Sequence, residues 1–329
     1  MIEQLIRSTA PFRAILLLTL TLLAVSWLIA PSSVEGRQLS NTLFFASLLG
    51  LAALGQLIVI LGGGIDLSIG PTVGLAGVIF ANVAQTDDVG SIAAGASLGV
   101  LAGVCVGLAN GAAVTLLRIT PLIATLGVGA LATGVSFSVI GDGTPKTVAS
   151  SVSRFVTDRP ILDEVSFITL IWAGVAGILA LGLWRTIAGR TFMAVGSNVR
   201  SARTLGVRVD AYRAASYVVA GVLYAGLGLA LTGLAGQPNV TLGDSYLLPS
   251  IAAVVVGGAV LGGGSGSIVA TMLGAFFITQ LDSVTLSLKA STGAQLIVQA
   301  AVIAIAMALY QLKRTKWPAW TKGVRPRPA

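Results

Sequence analysis

Apolar residues fall along this chain in long runs separated by short polar stretches, the pattern of helices that cross a membrane rather than of helices that pack in a soluble core. The runs occupy residues 14–30, 41–61, 67–84, 91–116, 122–140, 167–184, 214–235, 247–261, 268–281 and 294–310. Several are short or interrupted by glycine. The pattern predicts an all-α polytopic membrane protein of about ten transmembrane helices, with residues 1–13 as an N-terminal tail and 311–329 as a basic C-terminal tail. The first run also has the form of a signal peptide. Its end, Trp27-Leu28-Ile29-Ala30-Pro31, lacks a small residue two positions before Ala30, so a retained helix is expected.

The charges between the runs give a second test of the count, since one span added or missed would invert every later loop. With the N-terminus in the cytoplasm, fifteen of the 20 Lys and Arg fall inside. These are Arg7 and Arg13, then Arg118, then the six from Arg185 to Arg213, then six from Lys313 to Arg327. Nine of the 12 acids, Asp87, Asp88 and Asp244 among them, fall in outside loops. Ten spans with both termini cytoplasmic satisfy hydropathy and charge together.

Composition agrees and excludes much else. The chain is 55% hydrophobic and 10% charged, with a mean hydropathy of +0.93, whereas soluble domains carry about 25% charged residues. A net charge of +8 would suit nucleic acid, but the basic residues are dispersed among apolar spans without interleaved aromatics, so no nucleic-acid partner is expected. Histidine is absent and Cys105 is the single cysteine, expected as a small buried core residue. The usual metal sites and Ser-His-Asp triads therefore have no parts, which argues against an intramembrane hydrolase. Glycine, 41 residues in all, recurs at four-residue spacing as Gly95, Gly99, Gly103, Gly107 and Gly111, a signal for close helix packing.

Two loops exceed simple connections. Residues 141–166 are polar and expected outside, either as a docking surface or as a solvated loop. Residues 185–212 are arginine-rich and expected inside. Within them, 197–206 has the pattern of one short helix with a Ser or Asn cap and a glycine stop. Such a loop suits a partner protein, or enforces topology and touches anionic lipid.

One carboxylate stands between two long apolar runs, in Leu61-Gly62-Gly63-Gly64-Ile65-Asp66-Leu67-Ser68-Ile69-Gly70. An ionisable group there has a functional reading, since it is costly within a bilayer. It has an equally good structural one, a cap on free N–H groups at a helix start. Leu-Gly-Gly-Gly recurs at 261–264, too short a match to establish an inverted repeat. The intramembrane polar side chains are Gln56, Asp66, Ser68, Asn110, Thr125, Gln295 and Gln299. Of these, Gln56, Asp66, Ser68, Thr125 and Gln295 are the candidates for a solute pathway, and Asn110 and Gln299 for interhelical glue.

Four ordered motifs carry a resemblance. They are 63–70 (Gly-Gly-Ile-Asp-Leu-Ser-Ile-Gly), Asn110-Gly111 leading into 119–127 (Ile-Thr-Pro-Leu-Ile-Ala-Thr-Leu-Gly), 194–198 (Ala-Val-Gly-Ser-Asn) with Ala202 and Leu205-Gly206-Val207, and 253–258 (Ala-Val-Val-Val-Gly-Gly). Over about 41–310 the chain resembles the membrane permease of the ribose-type branch of bacterial ABC sugar importers. Thr133-Gly134 stands where relatives often have Arg-Gly, and Ser197 where they often have a second glycine.

The resemblance implies one permease domain over 14–310 in the inner membrane, importing a monosaccharide or related polyol by alternating access. It implies a second permease copy or sister permease, a periplasmic sugar-binding protein and a cytoplasmic ATPase dimer. That dimer would dock on the coupling loop 185–212 around Gly196, Ser197, Asn198, Arg200, Ala202, Arg203 and Gly206. No cofactor is expected on this chain, ATP and Mg belonging to the ATPase, and no bond chemistry. The competing class is an ion-coupled secondary transporter with Asp66 as its ion site. That class normally carries several intramembrane acids, and this chain carries one.

Overall fold

The computed structural model describes residues 2–141, 146–161, 164–289, 291, 293–298, 300–301 and 304–305. Asp142, Asp163, Gln299 and the tail 311–329 lie outside them, as does much of the run 294–310. Seven of the described helices are long and apolar enough to cross a membrane. These are α1 (Ile2–Ile29), α2 (Gly36–Leu61), α4 (Val89–Thr115), α5 (Pro121–Ile140), α7 (Phe167–Arg185), α10 (Val209–Ala235) and α12 (Ile268–Ser287). Between them lie α3 (Ile69–Val83), α6 (Ser150–Thr157), α8 (Ile187–Ser197), α9 (Val199–Thr204) and α11 (Leu247–Val256). Helix α1 runs back through residues read from sequence as a tail.

Helix α2 is the axis of the bundle, with 89% of its apolar stretch buried against 17% for α1. Sequence does not distinguish the two, because lipid and protein interior ask for the same apolar side chains. What separates helices here is small residues. The glycines of α4 face α10 and α3, and at Gly103 and Gly221 the backbones touch reciprocally: a Cβ on either would strike the other's carbonyl oxygen. Cys105, two residues past Gly103, points away from this seam and is exposed. The expectation of a buried cysteine is corrected for that reason: a stripe at four-residue spacing leaves i+2 on the opposite face.

Two pairs of consecutive helices are joined through glycine turns. Helix α2 ends at Leu61, and the chain turns through Gly63 (φ 81°) before α3 begins at Ile69. Helix α11 ends at Val256, and the chain turns through Gly263 and Gly264 (φ 94° and 72°) before α12. The two turns meet, the Gly264 N–H donating to the Leu61 carbonyl at 3.0 Å.

The C-terminal ends of α3 and α10 lie level, held by one stretch of chain: Ala149 N–H donates to Ala84 O (2.8 Å) and Val148 N–H to Gly236 O (3.0 Å). From there 236–246 does not stay at that end of the bundle. It returns alongside α3, so that a Cβ at Gly74 would strike the Val240 carbonyl and one at Gly70 would strike Asp244. At 1.5 Å per residue, Gly70 lies about 20 Å along α3 from its C-terminal end. Asp244, expected in an outside loop, is thus drawn deep beside the start of α3. The reason is length: α11 has 10 residues, about 15 Å of helix, and the irregular segment supplies the rest of that crossing.

The loop 141–166 carries α6, whose Val152 and Val156 are buried and pack on Gly233 of α10. Asp87 caps it, accepting from Ser151 N–H at 2.8 Å and Ser150 Oγ at 3.0 Å. These bonds, from Ser151 first and then Ser150, hold the Asp87 carboxyl below the usual carboxylate range.

Candidate functional site

Four of the five pathway candidates converge where α2 gives way to α3. After the glycine turn the chain rises through 65–68 without helical hydrogen bonds, so its polar groups need partners from elsewhere. Asp66 supplies one from within. Its Oδ1 accepts from Ser68 N–H (2.8 Å) and Ser68 Oγ (2.6 Å), closing the turn that launches α3. Thr125 Oγ1 on α5 accepts from Leu67 N–H at 3.0 Å. On α4, Asn110 Nδ2 donates to Ser68 Oγ at 2.8 Å.

Gln56 on α2 completes the set. In the orientation that satisfies both ends of its amide, Nε2 donates to Asp66 O (3.1 Å) and Tyr224 Oη (3.2 Å), and Oε1 accepts from Asp66 N–H (3.3 Å). Its side chain thus pairs with the Asp66 backbone as a neighbouring strand would. Asp66 is 1% exposed, and Gln56, Ser68, Asn110 and Thr125 are each 0%. The arrangement is a sealed knot tying α2, α3, α4, α5 and α10, and in this conformation none of these side chains is open to solvent. Among the described residues, Asn110 Oδ1 and Tyr217 Oη are buried without a partner. Gln295 is elsewhere. Helix α12 starts at the glycine turn and ends beside the α1–α2 corner, where Gln280 Nε2 donates to Ser33 O (3.3 Å) and Gln38 Nε2 to Ser283 Oγ (3.1 Å). Gln295 follows within helical residues 293–298, half-buried, beyond the end of α12.

The arginine-rich loop forms a helical hairpin. Helix α8, unforeseen as a separate element, is capped by Thr186 Oγ1 accepting from Gly189 N–H (2.9 Å). Helix α9 is the short helix expected from sequence: Asn198 Oδ1 accepts from Ser201 N–H (3.0 Å), and Gly206, at φ 77°, stops it. Ala202 is buried beneath α9, while Arg200 and Arg203 face out and Leu205 beside them is 82% exposed. Asp210 gathers two cations, Arg203 at 2.9 Å and Arg118 at 3.7 Å, linking α9 to the α4–α5 loop.

At the end of α8, Gly196 lies between the two glycine turns. A Cβ there would overlap the Leu61 carbonyl and crowd the Gly264 backbone, and Ser197 Oγ donates to Met193 O (2.9 Å) and Gly264 O (3.3 Å). The hairpin therefore rests directly on both glycine turns. Sequence reasoning found Gly196 and both turns, but not that they touch.

It also missed 236–246. The signal was present: 247–261 is short for a crossing, and Gly-Gln-Pro-Asn before it is polar, the combination that marks broken helices in transporters.

Residues 38–307 match the family model described as branched-chain amino acid transport system, permease component. The chain is 35% identical over 278 residues to the autoinducer 2 import system permease protein LsrC of Yersinia pestis (strain Pestoides F), covering 83% of this chain and 77% of that protein. LsrC of Yersinia pseudotuberculosis serotype IB (strain PB1/+) is 34% identical with the same coverage. A solved structure described as a metal-chelate type ABC transporter in an inward-facing conformation aligns over 91% of this chain and 97% of its own, at 18% identity and a TM-score of 0.48.

Proposed function

The chain belongs to the branched-chain amino acid transport system permease component family, and within it we propose that this permease imports a monosaccharide or related polyol. It is a multi-pass inner-membrane permease subunit of an ABC importer. The family match across 38–307 carries this reading.

In the proposed assembly ten crossings place both termini in the cytoplasm, with 14–310 as one permease domain between tails 1–13 and 311–329. The chain pairs with a second copy or sister permease and receives cargo from a periplasmic binding protein. A separate ATPase dimer, holding ATP and Mg, docks on 185–212 at Asn198, Arg200, Arg203 and the exposed Leu205. ATP-driven closure moves α8 and α9, and through Gly196 and Ser197 the push reaches both glycine turns at once. Access then alternates by rigid movement of the broken crossings. The knot of Gln56, Asp66, Ser68 and Thr125 flanks the pathway and fixes where α3 begins, and Gln295 contributes near its outer end. A second reading of the cargo, autoinducer 2, is favoured by the LsrC relatives.

The test is uptake in proteoliposomes containing the chain with its ATPase and binding protein. Uptake of labelled ribose, xylose or galactose that requires ATP and binding protein and survives collapse of ion gradients is expected. Uptake by the chain alone that dies with the gradient would establish an ion-coupled secondary transporter instead.

A further inference from the structure

An irregular stretch of backbone at membrane depth is tolerated only where it is buried in protein or lines a water-filled cavity. The segment 236–246 divides by side chain between those two conditions. Val240 and Gly243 are buried against α3, whereas Gln237, Asn239, Thr241, Asp244 and Ser245 are all exposed. Among the described residues the Asp244 carboxylate has no hydrogen bond and no ion pair. It nonetheless sits beside Gly70, about 20 Å along α3 from that helix's C-terminal end. Lipid would not accept an unpaired carboxylate there.

We propose that 236–246 lines the translocation pathway, with Asp244, Asn239 and Ser245 forming the surface that hydrogen-bonds hydroxyl groups of a neutral polyhydroxylated cargo. The carboxylate is acceptor-only and takes hydroxyl protons. Asn239 Oδ1 is already occupied by Thr241 N–H and Oγ1, both at 2.9 Å, so its Nδ2 protons remain for a cargo oxygen. Ser245 both donates and accepts. No Lys or Arg occurs between Arg213 and Lys289, so the segment has no cation of its own to receive an anionic cargo. The cargo class rests on the function proposed above; the placement on the pathway rests on geometry alone.

The experiment uses the assembled importer in vesicles. In a Cys105→Ser background, single cysteines at Asn239, Asp244, Ser245 and, as a control facing α3, Val240 are treated with a membrane-impermeant charged methanethiosulfonate. Reaction at the first three positions with at least tenfold slower reaction at Val240 is expected. Failure of Asp244→Cys to react, whether it faces lipid or is covered by the second permease, overturns the proposal whatever the cargo is. Separately, Asp244→Asn should lower ATP-driven uptake of the transported sugar about tenfold or more, the size expected for one lost charge-assisted hydrogen bond, with thermal unfolding unchanged. Undiminished uptake by a folded Asp244→Asn importer overturns the recognition role. If the wild-type importer moves no sugar at all, the proposed function falls, while the labelling still decides the pathway.

Discussion

Two carboxylates lie close to the start of α3, and the fold treats them in opposite ways. Asp66 is 1% exposed and spends its Oδ1 on Ser68, inside a shell of Gln56, Asn110 and Thr125. Asp244 is exposed and unpaired among the described residues, on a segment whose buried face is only Val240 and Gly243. The same side chain thus closes a break in a helix at one site and stands open beside it at the other. Depth in a bundle does not assign a role to an acid. What assigns it is whether the neighbouring backbone has already claimed its lone pairs.

The largest effect that would break this contrast belongs to Asp66. Asp66→Ala leaves Ser68 N–H and its hydroxyl buried without their acceptor, a loss of about 3 kcal/mol or more, and should abolish the monodisperse peak in detergent size-exclusion chromatography. Asp66→Asn keeps an oxygen in place and should fold and transport nearly normally; a folded, inactive Asp66→Asn importer would show that charge is required and erase the distinction. Next comes the contact between the two regions. Gly70→Ala forces a methyl against Asp244, and overpacking of this kind costs about 1–3 kcal/mol, read as a lowered unfolding temperature that Asp244→Ala relieves in the double variant.

Two surface carboxylates sharpen the comparison with smaller effects. Asp210→Asn removes ion pairs whose partners are all well exposed, so it should cost about 1 kcal/mol or less, a difference that high salt removes in a thermal melt. Asp87 gives the smallest effect, visible only in acid. Its pKa is lowered in the fold, so the stabilisation is fully present above the unfolded value of about 4. It disappears as pH falls through the lower folded one. Protection of the Ser151 amide in hydrogen exchange should therefore still be present at about pH 4 and be lost only as the pH falls further, through the lower folded value.

Much of this was legible in the sequence because bilayers impose length and charge rules that leave a plain record. The apolar runs, the Asn198 cap and the Gly206 stop all came from local chemistry. What stayed hidden was relational. Nothing in the apolar pattern marks α2 as the axis and α1 as peripheral, since both are apolar all round. The motif around Asp66 did not reveal that Gln56 would pair with its backbone. The loop holding Asp244 read as external because its residues are polar, and a pathway through a membrane is polar for the same reason.

The seam between Gly103 and Gly221 carries one last implication. Each backbone occupies the volume that the other's side chain would need, so α4 and α10 have neither slack to slide nor any bulk to pivot on. They form the chassis of the molecule. Gears must sit on a frame, and here the frame is two helices fused by absence of atoms. In the importer proposed above, a stroke from the ATPase would fall on the helices joined by the two glycine turns rather than on this pair.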